Sequence, residues 1–402
     1  MLGWDGLTDI HADARYAACT VVSIMERPTS TDRQAGRLTV FLCGDVMTGR
    51  GIDQALPHPS DPRIHEPFVK DAGQYVELAE AANGPVPRPV DFSYIWGAAL
   101  DELARVAPDA RIVNLETSIT RSDGYWPEKE IHYRMHPDNV QCLTAAGIDV
   151  CVLANNHVLD FGHAGLRETL EALSRAGLGT AGAGRTLAEA HAPAVVEVSG
   201  KGRLVVFGFG DDSSGIPSGW AATNDRPGID FLPDLSAATA TGIVNRVREV
   251  KRARDIVVAS IHWGSNWGYQ VPPAQRRFAR WLLDGGVDIV HGHSSHHVRP
   301  IEIYRGKLIL YGCGDFLDDY EGIAGHEEFR DDLTLMYFPT LQPETGRLES
   351  LRMTPMQIRN LKANRAAPAD AEWLGSTLGR ISQPFGARVE LTADGTLALH
   401  SE

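Results

Sequence analysis

From Leu38 onward, short continuous apolar runs recur along the chain, and amphipathic stretches separate them. The runs are Leu38–Cys43, Arg111–Leu115, Val150–Ala154, Leu204–Phe209, Ile256–Ile261, Val287–Val290 and Leu308–Tyr311. Their length and Val/Ile/Leu content predict strands covered on both faces. Helical spacing of apolar positions predicts helices over Trp96–Val106, Pro137–Ala146, Gly165–Ala176, Ala238–Lys251 and Pro273–Gly285. Such alternation predicts a layered α/β fold. Two weakly periodic stretches, 51–95 and 211–235, read as substrate-binding loops.

The same pattern divides the chain. Residues 1–36 read as an N-terminal extension that ends in a polar linker, 37–340 as the main domain, and the less periodic 341–402 as a C-terminal appendage. A chain of 402 residues is long enough for one large domain with additions. The formal net charge of -14 argues against nucleic acid as a partner, because an acidic surface repels phosphate backbones. No stretch approaches the length of a membrane span, and acidic and basic residues break any leader-like run near the N-terminus. The five cysteines are odd in number, none at CxxC spacing, so buried thiols in a reducing, cytoplasmic setting are expected. Nothing in the sequence sets an oligomeric state.

Polar residues cluster where the predicted strands end. Asp45 follows the first strand, Glu116 the second and Asn156-His157 the third; His262, then His291 and His293, follow two later ones. Loops beyond the carboxyl ends of strands form the ligand crevice of α/β sheets. Carboxylates, amides and neutral imidazoles at one rim are a divalent-metal inventory that needs no thiolate. We therefore expect Asp45, Glu116, Asn156, His262, His291 and His293 to hold Mn, Zn, Fe or a similar ion, one or two in number. Four imidazoles fall within His291–His297, and not all can reach one ion, which leaves one as a proton carrier. Asp160 is placed to orient a neighbour, and Arg50 to grip an anion bidentately. Structural readings compete at each position: a helix cap for Asp45, a salt bridge for Glu116, a loop position for His297.

These blocks resemble the CapA family, relatives of a protein of poly-γ-glutamate capsule synthesis. The resemblance rests on Gly44-Asp-Val-Met-Thr-Gly-Arg50, Asn114-Leu-Glu-Thr117, Leu153-Ala-Asn-Asn-His157, His262-Trp-Gly264, Gly292-His293 with His296, and Gly312–Phe316. It implies a calcineurin-like metallophosphoesterase-type fold, a two-sheet sandwich flanked by helices with metals at strand ends. Two departures stand out. Met47 replaces the His of the phosphoesterase Asp-x-His pattern, and Glu116 stands where those enzymes use a bridging Asp. Phosphoester hydrolysis through a two-metal clamp is weakened by both. One branch of the resemblance, the peptide epimerases of lasso-peptide biosynthesis, implies inversion at the Cα of a precursor's C-terminal Trp, with the peptide's free carboxylate as the recognised group. His296 and His157 would then be the acid/base pair, with Asp45 or Asp160 as substitutes and Arg50 helping to hold the carboxylate. The alternatives are a metallophosphatase or related hydrolase, and a capsule assembly protein without catalysis.

Overall fold

A computed structural model describes residues 21–22 and 36–401. Most of the predicted N-terminal extension, with Cys19, lies outside the described residues. The architecture is α/β: two large sheets face one another and helices cover their outer faces. The seven-stranded sheet runs, in spatial order, Val21–Val22, Ala194–Val198, Gly202–Gly210, Ile256–His262, Ile289–His293, Lys307–Leu310 and Ile301–Tyr304. The eleven-stranded sheet holds Leu38–Phe41, Asp45–Val46, Ala110–Leu115, Val150–Val152 and Asp315–Leu317, and continues through Leu333–Gln342 and Arg347–Ile358 to the C-terminal hairpin Ala387–Leu391/Leu397–Ser401.

Strand side chains alternate between faces, and each strand's two sets meet different partners. Val205, Phe207 and Phe209 pack on Ile243, Val247, Phe278 and Leu282 of the helices Ala237–Val250 and Pro273–Gly285. Their neighbours Leu204 and Val206 point the other way, into a core shared with Val40, Ile112 and Leu335 of the facing sheet. Both faces being dry explains the unbroken apolar runs. Local chemistry fixes the helix starts. The Ser236 side chain caps Ala237–Val250 by accepting from Thr239 N, and a proline opens Pro273–Gly285.

Several elements depart from the sequence pattern. The stretch 51–95 contains the helix Gly73–Asn83, and helix Arg50–Ala55 enters it. A boundary at 340 falls inside the strand Leu333–Gln342, which pairs with both Leu38–Thr39 and Arg347–Ile358. Residues beyond it therefore extend the main sheet, and Met353, Leu374 and Leu397 join the inter-sheet core. The four described cysteines, Cys43, Cys142, Cys151 and Cys313, are buried free thiols. Among the described residues no helix is long and apolar enough to cross a membrane.

Candidate metal centre between the two sheets

The inward faces that make the inter-sheet core turn polar at one end. Val258, Ser260 and His262 share a face of one strand; Ile289, His291 and His293 share a face of its parallel neighbour, with Ser260 beside His291 and His262 beside His293. Opposite them, Ile112, Asn114 and Glu116 continue the inward face of the other sheet, and Asp45 pairs in register with both Asn114 and Asp315. Two crests, one from each sheet, therefore converge.

Asp45, His262 and His293 each offer a ligand atom within 4.8 Å of the others, all three buried. Asp45 Oδ1 accepts from Asn114 Nδ2 at 2.7 Å, Oδ2 accepts from Ser294 N at 3.0 Å, and His293 Nδ1 stands 3.7 Å from Oδ1. Asn156 Oδ1 is 3.0 Å from His262 Nε2, and Glu116 Oε1 is 4.0 Å from the same nitrogen. Asn155, though not a ligand, ties the crest together by donating to Asn114 Oδ1 and Leu115 O.

Two sequence expectations need correction. His291 stands outside the converging trio: its Nε2 lies 2.8 Å from the Cys43 carbonyl, which only a protonated nitrogen satisfies, and its Nδ1 3.0 Å from Ser260 Oγ. Arg50 is no free anion clamp either. Its guanidinium is buried, bonded to Asp319 and to Glu66, and lies over the Tyr75 ring at 3.8 Å. Arg134 is likewise engaged, by Asp123 and two backbone carbonyls.

The remaining candidates form two carboxylate-held imidazoles. His157 Nδ1 meets Asp160 Oδ2 at 2.6 Å, and Asp160 also takes Lys129 and the Tyr133 amide. His296 Nδ1 meets Asp315 Oδ2 at 2.8 Å, and its Nε2 lies 2.9 Å from Asn266 Nδ2. Burial opposes charge on His296, but Asp315 outweighs it and raises the pKa above the ordinary value. On His157 burial wins over Asp160 and lowers the pKa to about 4. His297, expected on an exposed loop, is buried; Gly268 N donates to its Nε2 and the ring stacks on Phe329.

The residues fit a divalent cation. Burial keeps His262 and His293 well below the usual imidazole pKa, so both are neutral donors. Burial, then the neighbouring Asp315, pushes Asp45 up to about 7; burial, then Asp45, raises Glu116. Crowded carboxylates of this kind need positive charge, and Asp315 Oδ1 is a buried oxygen with no hydrogen-bond partner. Met47 adds no ligand of the usual phosphoesterase kind; its sulfur meets the Tyr320 hydroxyl at 3.4 Å. Asp315 follows the apolar run Leu308–Tyr311 in the sequence as the other candidates follow theirs, but is not among the expected ligands.

A cavity of about 620 Å³ opens onto this centre, reached by Glu116, Asn156, His157, His262 and His296. Phe68, 95% exposed, and Ile323 stand at its edge. Tight backbone contact holds the Asp45 segment: a Cβ on Gly44 would fall 1.7 Å from the Gly314 carbonyl oxygen, which accepts from Asp45 N. Gly44→Ala is therefore expected to cost about 1–3 kcal/mol by overpacking and to displace Asp45 from Asp315. Thermal melting together with metal retention would check it.

The model of the bacterial capsule synthesis protein PGA_cap family matches residues 39–320. A probable polyglutamine synthesis accessory protein of Mycobacterium tuberculosis is 50% identical over 90% of this chain and 95% of its own length. The PGA biosynthesis protein CapA of Bacillus subtilis is 30% identical over 80% of this chain and 72% of its own. Among solved structures, a novel phosphatase of Mycoplasma pneumoniae superposes with a TM-score of 0.44 at 12% identity, covering 80% of this chain and 94% of that one. A 5'-nucleotidase precursor of Thermus thermophilus gives 0.45 at 13%, covering 87% and 59%. The family match runs from the strand before Asp45 to just past Asp315 and encloses every residue of the cluster; the chain belongs to the bacterial capsule synthesis protein PGA_cap family.

Proposed function

We propose that the protein is a metal-dependent hydrolase of an amide bond, serving the synthesis of a polyglutamate-type polymer. The observation that carries this reading is the buried trio Asp45, His262 and His293, which meets the cavity through His262. Two imidazoles and one carboxylate beside a cavity match the ligand pattern of catalytic rather than structural sites. A divalent ion held there would supply Lewis acidity toward a substrate carbonyl. His296, braced by Asp315, is the group that delivers a proton to the departing amine, and His157, braced by Asp160, orients or deprotonates from the other side. The relatives' names, a polyglutamine synthesis accessory protein and CapA, supply the polymer. Phosphoester hydrolysis ranks lower, because Arg50 and Lys129, the cations lining the cavity, are already paired with carboxylates.

The same pair of braced imidazoles favours a second reading. Two groups able to exchange protons beside one carbonyl would invert a Cα centre without cleavage, as a peptide epimerase does. With Arg50 engaged, the ion itself would have to hold the substrate's carboxylate.

Metal-loaded protein should release free amine from poly-γ-glutamate or short γ-glutamyl peptides, and EDTA should abolish the release. Uptake of solvent deuterium at Cα with an intact peptide would replace hydrolysis by epimerisation. Release of phosphate from an aryl phosphate, with peptides untouched, would overturn both.

A further inference from the structure

We propose that Ser260 and His291 form a proton-directing relay that fixes the tautomer of His293 and turns its Nδ1 lone pair toward the metal centre. The inference rests on the metal-dependent reading above. It gives a role to His291, which the centre does not use as a ligand, and to Ser260, which no motif marks.

The hydrogen bonds from Cys43 to His293 run in one direction. The Cys43 carbonyl can only accept, so His291 Nε2, 2.8 Å away, carries a proton. The partners of His291 are a carbonyl and a hydroxyl, neither charged, so the buried ring stays neutral and its Nδ1 bears a lone pair. Ser260 Oγ–H therefore donates to that nitrogen at 3.0 Å. Having given its one proton, the serine oxygen accepts from His293 Nε2–H at 2.9 Å. With one proton on the ring and that proton on Nε2, Nδ1 is the unprotonated nitrogen, 3.7 Å from Asp45 Oδ1.

The consequence reaches the next ring. His262 Nδ1 lies 2.8 Å from His293 Nδ1, and His262 Nε2 lies 3.0 Å from Asn156 Oδ1. A neutral His262 has one proton for two acceptors. With the Asn156 amide oriented as it is, whichever acceptor it serves, one lone pair is left facing another at hydrogen-bond distance, an arrangement that a cation relieves. The relay also bridges the sheets, since Cys43 precedes the Gly44-Asp45 segment while Ser260 and His291 belong to the facing sheet. Outer partners that fix a ligand's tautomer typically contribute about 10–100-fold to metal affinity.

The test is a set of variants read by Zn or Mn titration and by long-range proton–nitrogen NMR of metal-free, histidine-labelled protein. Wild type should show His293 protonated at Nε2 alone. Ser260→Ala should mix the tautomers and weaken metal binding about 10–100-fold with the fold intact, and Ser260→Thr should restore both. His291→Gln can donate to Cys43 and accept from Ser260, so it should keep affinity within a few-fold of wild type, roughly; His291→Ala should not. Equal loss in His291→Gln and His291→Ala would make His291 a ligand and overturn the proposal. So would a His293 ring that is unchanged in Ser260→Ala. If wild type binds no metal yet shows the Nε2–H tautomer, the metal reading fails and the relay stands.

Discussion

Purified His293→Ala protein is expected to carry no stoichiometric divalent metal, with affinity reduced by more than about 100-fold, beyond the effect of losing an outer partner. The reason is the small size of the ligand set. Asp45, His262 and His293 are the trio whose ligand atoms converge, and removing one leaves two. Glu116 and Asn156 approach through His262 and do not replace the lost nitrogen. Because ligands from both sheets meet at the ion, binding should also stabilise the fold: at a free metal concentration about 1,000 times Kd, mass action gives about 4 kcal/mol. EDTA should thus lower the melting temperature of wild type and leave that of His293→Ala unchanged. Elemental analysis with thermal melts measures both. Full metal occupancy in the variant would remove His293 from the centre.

Arg50→Met should lose about 3–5 kcal/mol of stability, read as a shift of the urea midpoint. Arg50, Glu66 and Asp319 are all buried, with Arg50 Nη1 2.9 Å from Glu66 and Nε 3.2 Å from Asp319. Met fills the volume but leaves two carboxylates without their countercharge. Restoring neutrality should rescue the protein: Glu66→Gln and Asp319→Asn in the Arg50→Met background should recover most of the loss. An unchanged midpoint with a raised KM would instead mean that the guanidinium reaches substrate.

These two cases mark how far the chain could be read unaided. Short runs bounded by polar residues placed the central strands and, at their ends, Asp45, His262 and His293, because burial on both faces leaves an apolar signature and the crest leaves a polar one. His291 misled through spacing. It flanks Gly292 as His293 does, and both share a strand face, but two residues along a strand set it about 7 Å deeper, at the Cys43 carbonyl. Arg50 misled through distance, since its partner Asp319 lies 269 positions away and no local pattern announces it. The C-terminal strands escaped because Arg347–Ile358 is buried mainly in its second half and its first half looks like a loop. Asp315 follows the apolar run Leu308–Tyr311 and was legible as a strand-end acid; its place beside Asp45 comes from a parallel pairing, a tertiary fact.

The bond between His291 and the Cys43 carbonyl spans 248 positions, and that between Ser294 and Asp45 spans 249. At about 5–20 residues per second, a ribosome takes roughly 12–50 s to separate the synthesis of the first crest from that of the second. Throughout that interval Asp45 has no imidazole partner, and the nascent chain presents only half a centre. Metal binding at this centre would thus be a late event, coincident with closure of the sandwich.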